Sequence, residues 1–378
     1  MAKKYVNSNL YFAVRAKKML VAALNIGTAF SACAFSFQVD FEKDPMFIVS
    51  NTWTCISRAL KSINVPTVVL LDKSKKFLSF GYDAEEQYLE IALDEEHHDY
   101  YYFCDFKMLL NALQAGISME HLSLCFKPEA ASLLCQYSLT EKPKNKDDVG
   151  NVFTQGTKHM VIDLEDETTE ITCHQKGKHD SFIELNTPPG GPSVGLCLDE
   201  AFNRLLIKIF GAHHFRKFQE ENKMEALDLL KYFRHKKIDI TNETTRKVSI
   251  TLPVQLRESF EKDTDEIIKD VIKQMAYEDN ICWCANKLRI DANFFRTLFN
   301  EPKTHLINHV QSLLTKSHLK DVSTLLMVGG FSKSPIMQSA VKDAFPGMTV
   351  FAPPDPGLAV LKGAVIYGHR VLARIQNK

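Results

Sequence analysis

The stretch from Val322 to Pro335 restricts the possible folds of this chain more than any other. Val322–Val328 reads as a buried strand, Gly329-Gly330 as the turn that ends it, and Ser334–Phe345 as a helix with Pro335 in its first turn. A strand of this kind needs cover from other layers. Strand-like and helix-like segments do alternate along the 378 residues, which indicates α/β layering. The length allows about two domains. Hydrophobic residues at 45% and charged residues at 24% are ordinary for a globular chain and argue against disorder.

Met19–Leu24 and Cys33–Gln38 read as two strands around Gly27, with Thr67–Leu71 and Phe77–Phe80 as further short strands and Ala84 to Leu93 as a helix. The clearest boundary is 140–158, where Glu141-Lys142-Pro143-Lys144-Asn145-Lys146-Asp147-Asp148 offers almost nothing to bury. Beyond it His159–Asp163, Glu170–His174 and Ser181–Leu185 suggest a meander, followed by a loop at Pro188-Pro189-Gly190-Gly191-Pro192. Helices are expected over Cys197–Phe210, Lys217–Arg234, Pro253–Met275, Ala292–Asn300 with Asp291 as N-cap, Pro302–Thr315 and Gly357–Leu372, with a strand at Lys247–Leu252. The expected domains are 19–139, a linker at 140–158, 159–345, and 346–378 as a strand and helix returning to the first.

Charge and cysteine usage exclude several classes. Forty-six basic residues balance forty-six acidic ones, which removes the bulk electrostatic case for nucleic acid or an anionic membrane as partner. Nine cysteines, an odd number in a chain with ample core, fit free thiols in a reducing compartment, so a cytoplasmic location is expected. Cys282 and Cys284 lack a matching Cys/His pair, and no metal site is expected from them. Met19 to Phe37 is uncharged, but its longest apolar run, Met19–Leu24, is too short for a signal h-region or a membrane span.

Two glycine turns beside strands carry the chemistry. At Asn25-Ile26-Gly27-Thr28-Ala29-Phe30-Ser31, Gly27 lets backbone N–H groups approach an anion, or simply closes a hairpin. At Val328-Gly329-Gly330-Phe331-Ser332, strand, bare glycines and helix start suit a nucleotide, or simply a tight connection. Neither is a P-loop or a dinucleotide fingerprint.

With these turns the chain resembles the heat shock 70 kDa protein 12 family, a divergent branch of the 70-kDa heat-shock proteins in the actin-like ATPase superfamily. The resemblance runs in order through Ala34-Phe35-Ser36-Phe37, Phe80-Gly81-Tyr82-Asp83-Ala84-Glu85-Glu86, Tyr101-Tyr102-Phe103 with Phe106-Lys107-Met108, and Pro128-Glu129-Ala130-Ala131-Ser132. It continues through Gly190-Gly191-Pro192, Val328-Gly329-Gly330-Phe331-Ser332 with Ser334-Pro335, and Pro353, Asp355-Pro356 and Ala359-Val360. It implies an α/β fold of two ribonuclease-H-like lobes with ATP or ADP and magnesium between them. By resemblance, Gly27 and Thr28 fall in the first phosphate loop, Asp163 to Thr172 with Thr168 forms the second, and Gly190 and Gly191 lie near the phosphates. Gly329, Gly330 and Ser332 lie at the adenosine, and Lys107 matches a basic residue near the phosphates.

The departures from the family pattern bear on activity. Asn25 replaces the Asp that holds hydrated magnesium, and Lys127 replaces a Glu that helps place the attacking water. The second loop, Asp-x-Gly-Gly-Gly-Thr-x-Asp in the family, reads Asp163-Leu164-Glu165-Asp166-Glu167-Thr168-Thr169-Glu170, with an acid replacing every glycine. Like charges about 4 Å apart repel by about 4 kcal/mol at an effective dielectric of about 20, so even half-screened the acids here are expected to oppose a triphosphate. Leu109 to Gly116 joins segments between which the family has strands and a crossover helix, so the first lobe is expected to be incomplete. By the same resemblance no β-sandwich that clamps a peptide is expected within these residues, and protein partners are left unidentified.

These features favour a pseudo-ATPase acting as a binding or scaffold module, with no catalytic residues retained at Asn25 and Lys127. A weak ATP-binding, chaperone-like ATPase of the stress response and a non-functional truncated product are the alternatives. A sugar or acetate kinase of the same superfamily needs a substrate-binding acid in the first lobe, and nothing marks one. Glu165, Asp166, Glu167 and Glu170 offer a cation ligands, or form a solvated acidic turn.

Overall fold

The structure, a computed structural model, describes residues 10–16, 20–27, 30–55, 60–93, 97–103, 122–141, 152–178, 181–186, 193–275 and 278–376. The chain forms two compact units, Met1–Gly150 with Leu358–Lys378, and Asn151–Gly357.

In the second unit β6 (Lys158–Leu164), β7 (Thr169–Lys176) and β8 (Phe182–Glu184) form the antiparallel meander, and β9 (Val322–Val328) and β10 (Thr349–Phe351) continue it parallel to β6. The order β8-β7-β6-β9-β10 is the ribonuclease-H-like order, the first three strands antiparallel and the last two reached by crossovers. β10 thus belongs to this sheet, and from 346–378 only the helix returns to the first unit.

The helices of this unit follow the apolar stripes. α2 (Val194–Phe210) buries Phe202, Leu205, Leu206, Ile209 and Phe210. The region expected as one helix from Lys217 is two, Ala212–Glu221 and α3 (Lys223–Asp239), with Asn222 between them. The helix expected over Pro253–Met275 is also two, because Asp265 takes φ 57° and ends Val254–Thr264 before Ile268–Lys273 begins. Phe202 of α2 stacks on Phe233 of α3 with centroids 4.1 Å apart. α4 (Asn300–Leu314) and α5 (Pro335–Ala344) complete the cover, the latter capped by Ser334 Oγ accepting from Met337 N.

The first unit follows the same plan with one substitution. β2 (Leu20–Ile26), β3 (Phe30–Phe37) and β4 (Val49–Ser50) are an antiparallel meander. The position beside β2, where the plan places a parallel strand, is taken by β1 (Leu10–Ala16) running antiparallel to it. β5 (Leu122–Phe126) pairs antiparallel with β1 and so runs parallel to β2. The sheet is continuous as β5-β1-β2-β3-β4, with the N-terminal strand β1 between β2 and β5. The chain is thus a mixed α/β protein.

On one face of this sheet lie α1 (Lys127–Glu141) and α6 (Ala359–Gln376), over Val21, Ala23, Ala34 and Cys125, none more than 1% exposed. The other face carries Phe37, Leu124 and Phe126, each nearly half exposed. No helix among the described residues is long and apolar enough to cross a membrane.

Candidate functional site

The expected site residues divide between the two units. In the first, Asn25 is the penultimate residue of β2, pairing with Ala32 of β3 and Tyr11 of β1. Gly27 closes the turn by donating its N–H to Phe30 O at 3.0 Å, and a Cβ on it would meet that oxygen at 2.6 Å. Glycine is thus required by the hairpin itself. Lys127 is buried at the junction of β5 and α1. Thr28, Lys107, Gly190 and Gly191 lie outside the described residues.

In the second unit Asp163, Glu165, Thr168, Gly329, Gly330 and Ser332 come together. Asp163, buried, is paired in register with Glu170 and Val328, so the tip of the β6–β7 hairpin reaches the end of β9. Glu165 N donates to Thr168 O at 3.0 Å and closes that tip. Gly329 adopts φ 89°, and a Cβ there would collide with Leu164 O and Asp163 Oδ1. Only glycine satisfies both the dihedral and the approach. Ser332, fully buried, donates its hydroxyl to Val328 O at 2.6 Å, and its own carbonyl accepts from Gln338 Nε2 at 2.8 Å. These bonds fix the strand-to-helix connection and leave Ser332 a structural role.

The acids at the tip are partnered. Glu165 Oε2 accepts the Gly330 N–H at 3.1 Å. Asp166 Oδ1 pairs with Lys237 Nζ at 2.9 Å, and Glu167 Oε1 with Arg234 Nη1 at 3.5 Å. Both cations also hold the buried Asp199 of α2, Lys237 Nζ at 2.8 Å and Arg234 Nε at 2.8 Å. Burial pushes the Asp199 carboxyl up, and the two cations pull it back. The acids of the turn are thus held by partners within the unit rather than by solvent alone. Two of its three acids are neutralised from α3, and the third is spent on a backbone donor.

The start of α2 is fitted to the same tip. Val194 N donates to Thr169 Oγ1 at 3.0 Å, Ser193 Oγ donates to Asp166 O at 3.2 Å, and a Cβ on Gly195 would strike the Asp166 and Glu165 carbonyls. Arg234, Lys237 and Asp199 escaped the sequence reading. The available signal was an acid-rich turn in a chain of zero net charge, which requires cations somewhere but does not say where. A cavity of about 410 Å³, lined mainly by Phe202, Phe215, Phe218, Leu227, Leu229 and Leu230, contains none of these groups.

Against known proteins, the chain is 24% identical to heat shock 70 kDa protein 12A of Homo sapiens over 473 residues, covering 93% of this chain and 69% of that one. The Mus musculus protein of that name gives the same figures. Heat shock 70 kDa protein 12B of Homo sapiens is 28% identical over 227 residues, covering 58% of this chain and 33% of its own. The chain is thus similar to heat shock 70 kDa protein 12A over most of its length. The match of 473 residues exceeds the 378 residues here, so family members carry segments that this chain lacks. Among solved structures, MreB5 of Spiroplasma citri bound to ADP is similar at TM-score 0.49 and 12% identity, covering 94% of this chain and 98% of that one. No protein-family model matches the chain.

Proposed function

We propose that this protein is a heat-shock-70-type nucleotide-binding-domain protein that does not turn over ATP and acts as a binding or scaffold module in the cytoplasm. The observation that carries the reading is the seating of the β6–β7 hairpin acids. Where the family pattern has glycine amides for phosphates, Glu165 takes the Gly330 N–H and Asp166 and Glu167 take Lys237 and Arg234. The chain's own carboxylates thus satisfy a donor and two cations that an anionic ligand would need.

Asn25 and Lys127 support the same reading. An amide in place of a carboxylate weakens a hydrated magnesium position, and an ammonium cannot orient an attacking water by accepting its proton. A weak ATP binder is the second reading, favoured by the intact Gly329-Gly330 connection with Ser332 beneath it.

Calorimetric titration with ADP and ATP, with and without magnesium, separates the two, alongside a hydrolysis assay. The expected result is no turnover above background, with nucleotide affinity raised when Glu165, Asp166 and Glu167 are together replaced by glycine. Wild-type turnover that disappears on Gly330→Val overturns the proposal. Absence of a cooperative unfolding transition would instead mark a truncated product without function.

A further inference from the structure

Away from the hairpin, three side chains of metal-ligand type converge between α2 and α4. Cys197 lies buried in the first turn of α2, and Glu301 and His305, four residues apart, share a face of α4. Their ligand atoms all lie within 4.8 Å of one another, with Cys197 Sγ 3.8 Å from His305 Nδ1. A tetrahedral zinc ion, with Zn–S about 2.3 Å and Zn–N about 2.0–2.1 Å, requires a sulfur-to-nitrogen edge of about 3.6 Å. Rotamer adjustment of a few tenths of an ångström closes that difference.

We infer that Cys197, Glu301 and His305 form a zinc-binding site whose fourth position is open to water. A thiolate, an imidazole and one carboxylate are a borderline-soft donor set, suited to zinc and unsuited to magnesium or calcium. Binding forms the S–Zn bond as the thiol proton leaves to solvent, with no change of oxidation state.

The surroundings supply an outer shell. Arg204, two turns beyond Cys197 on α2, pairs with Glu301 Oε2 and so holds that carboxylate beside α2. An ion here ties the first turn of α2 to α4, two residues from Gly195, where that helix meets the hairpin tip. Its existence does not depend on the nucleotide reading.

The test uses the full chain, stripped with a chelator and refilled with zinc, with metal content measured after desalting. Cobalt substitution provides a second readout, through the thiolate-to-cobalt charge-transfer band and the strong visible bands of tetrahedral cobalt. Expected are one zinc per chain, loss of the charge-transfer band in Cys197→Ser, and zinc affinity at least about 100-fold weaker in His305→Ala. Arg204→Ala should weaken binding less, by roughly tenfold. Cys282→Ser with Cys284→Ser should bind as wild type. If Cys197→Ser does not fold, Glu301→Gln and His305→Ala decide, because both lie on the helix surface and leave the circular dichroism unchanged. A cobalt spectrum that persists in Cys197→Ser, unchanged zinc affinity in His305→Ala, or a folded wild type that retains no zinc overturns the proposal.

Discussion

Lys237 has no solvent-exposed side-chain surface, a rare state for a lysine. Its ammonium bridges Asp199 and Asp166 and rests 4.8 Å from the centre of the Phe331 ring. Removing the cation leaves Asp199, almost wholly buried, with Arg234 alone. Lys237→Met is therefore expected to cost about 3–5 kcal/mol. Asp166→Asn should cost only about 1 kcal/mol, because Asp166 is 42% exposed and Lys237 keeps Asp199. Urea unfolding of both variants checks this, and equal losses would mean that the bridge is not shared as described. The acids at 165–167 stand out in the sequence, whereas their neutralisation does not. Glu167 meets Arg234 67 residues away, a pairing made by the packing of α3 against α2.

At the scale of elements, α6 and α1 approach so closely that a Cβ on Gly363 would be driven into the Ala130 carbonyl, a backbone group that cannot swing aside. Gly363→Ala is expected to lower the stability of the first unit by several kcal/mol, although alanine is the better helix former by about 1 kcal/mol. Thermal melting monitored by circular dichroism decides, and a raised midpoint would show that helix propensity outweighs contact. Elements whose patterns are local were legible. Val322–Val328 was read with the bounds it has, and the Asp291 cap was found, its carboxylate accepting from Asn293 N and Phe294 N. β1 was not read, because the sequence fixes its strand propensity but not its place in the sheet. That place is set by a vacancy between β2 and β5 that only the assembled sheet reveals.

For the molecule as a whole, buried histidines govern the response to acid. His159 and His174 are register partners on β6 and β7, with rings 5.7 Å apart. Burial pushes them down to about 3 and about 4, the neighbouring His174 and Lys176 charges adding to the effect on His159. In the first unit His369, stacked on Phe41 with centroids 4.1 Å apart, is lowered by burial to about 4. The unfolded chain takes up these protons near the ordinary histidine value of about 6.5, and the native chain does not. Stability should therefore be full above pH 7 and fall as the pH drops from about 6.5 towards 4. His174 alone accounts for a loss on the order of 3 kcal/mol. Denaturant midpoints at pH 7.5, 6 and 5 measure the slope, and His174→Phe should flatten it. Equal midpoints across that range would mean that the histidines are not held neutral.

The antiparallel insertion of β1 also changes how the first sheet is assembled in time. A parallel strand beside β2 can pair only after a crossover has been made, whereas β1, β2 and β3 are consecutive in the chain and meet through short connections. The centre of this sheet becomes a nucleus of local pairings, the kind that forms fast, and β5 becomes the late arrival, separated from β4 by further strands and a helix. The seam from Leu10–Phe126 to Val14–Leu122 is then the last to zip and the first to open. Lys127, which follows β5 directly, is delivered to its buried position only when that seam has closed.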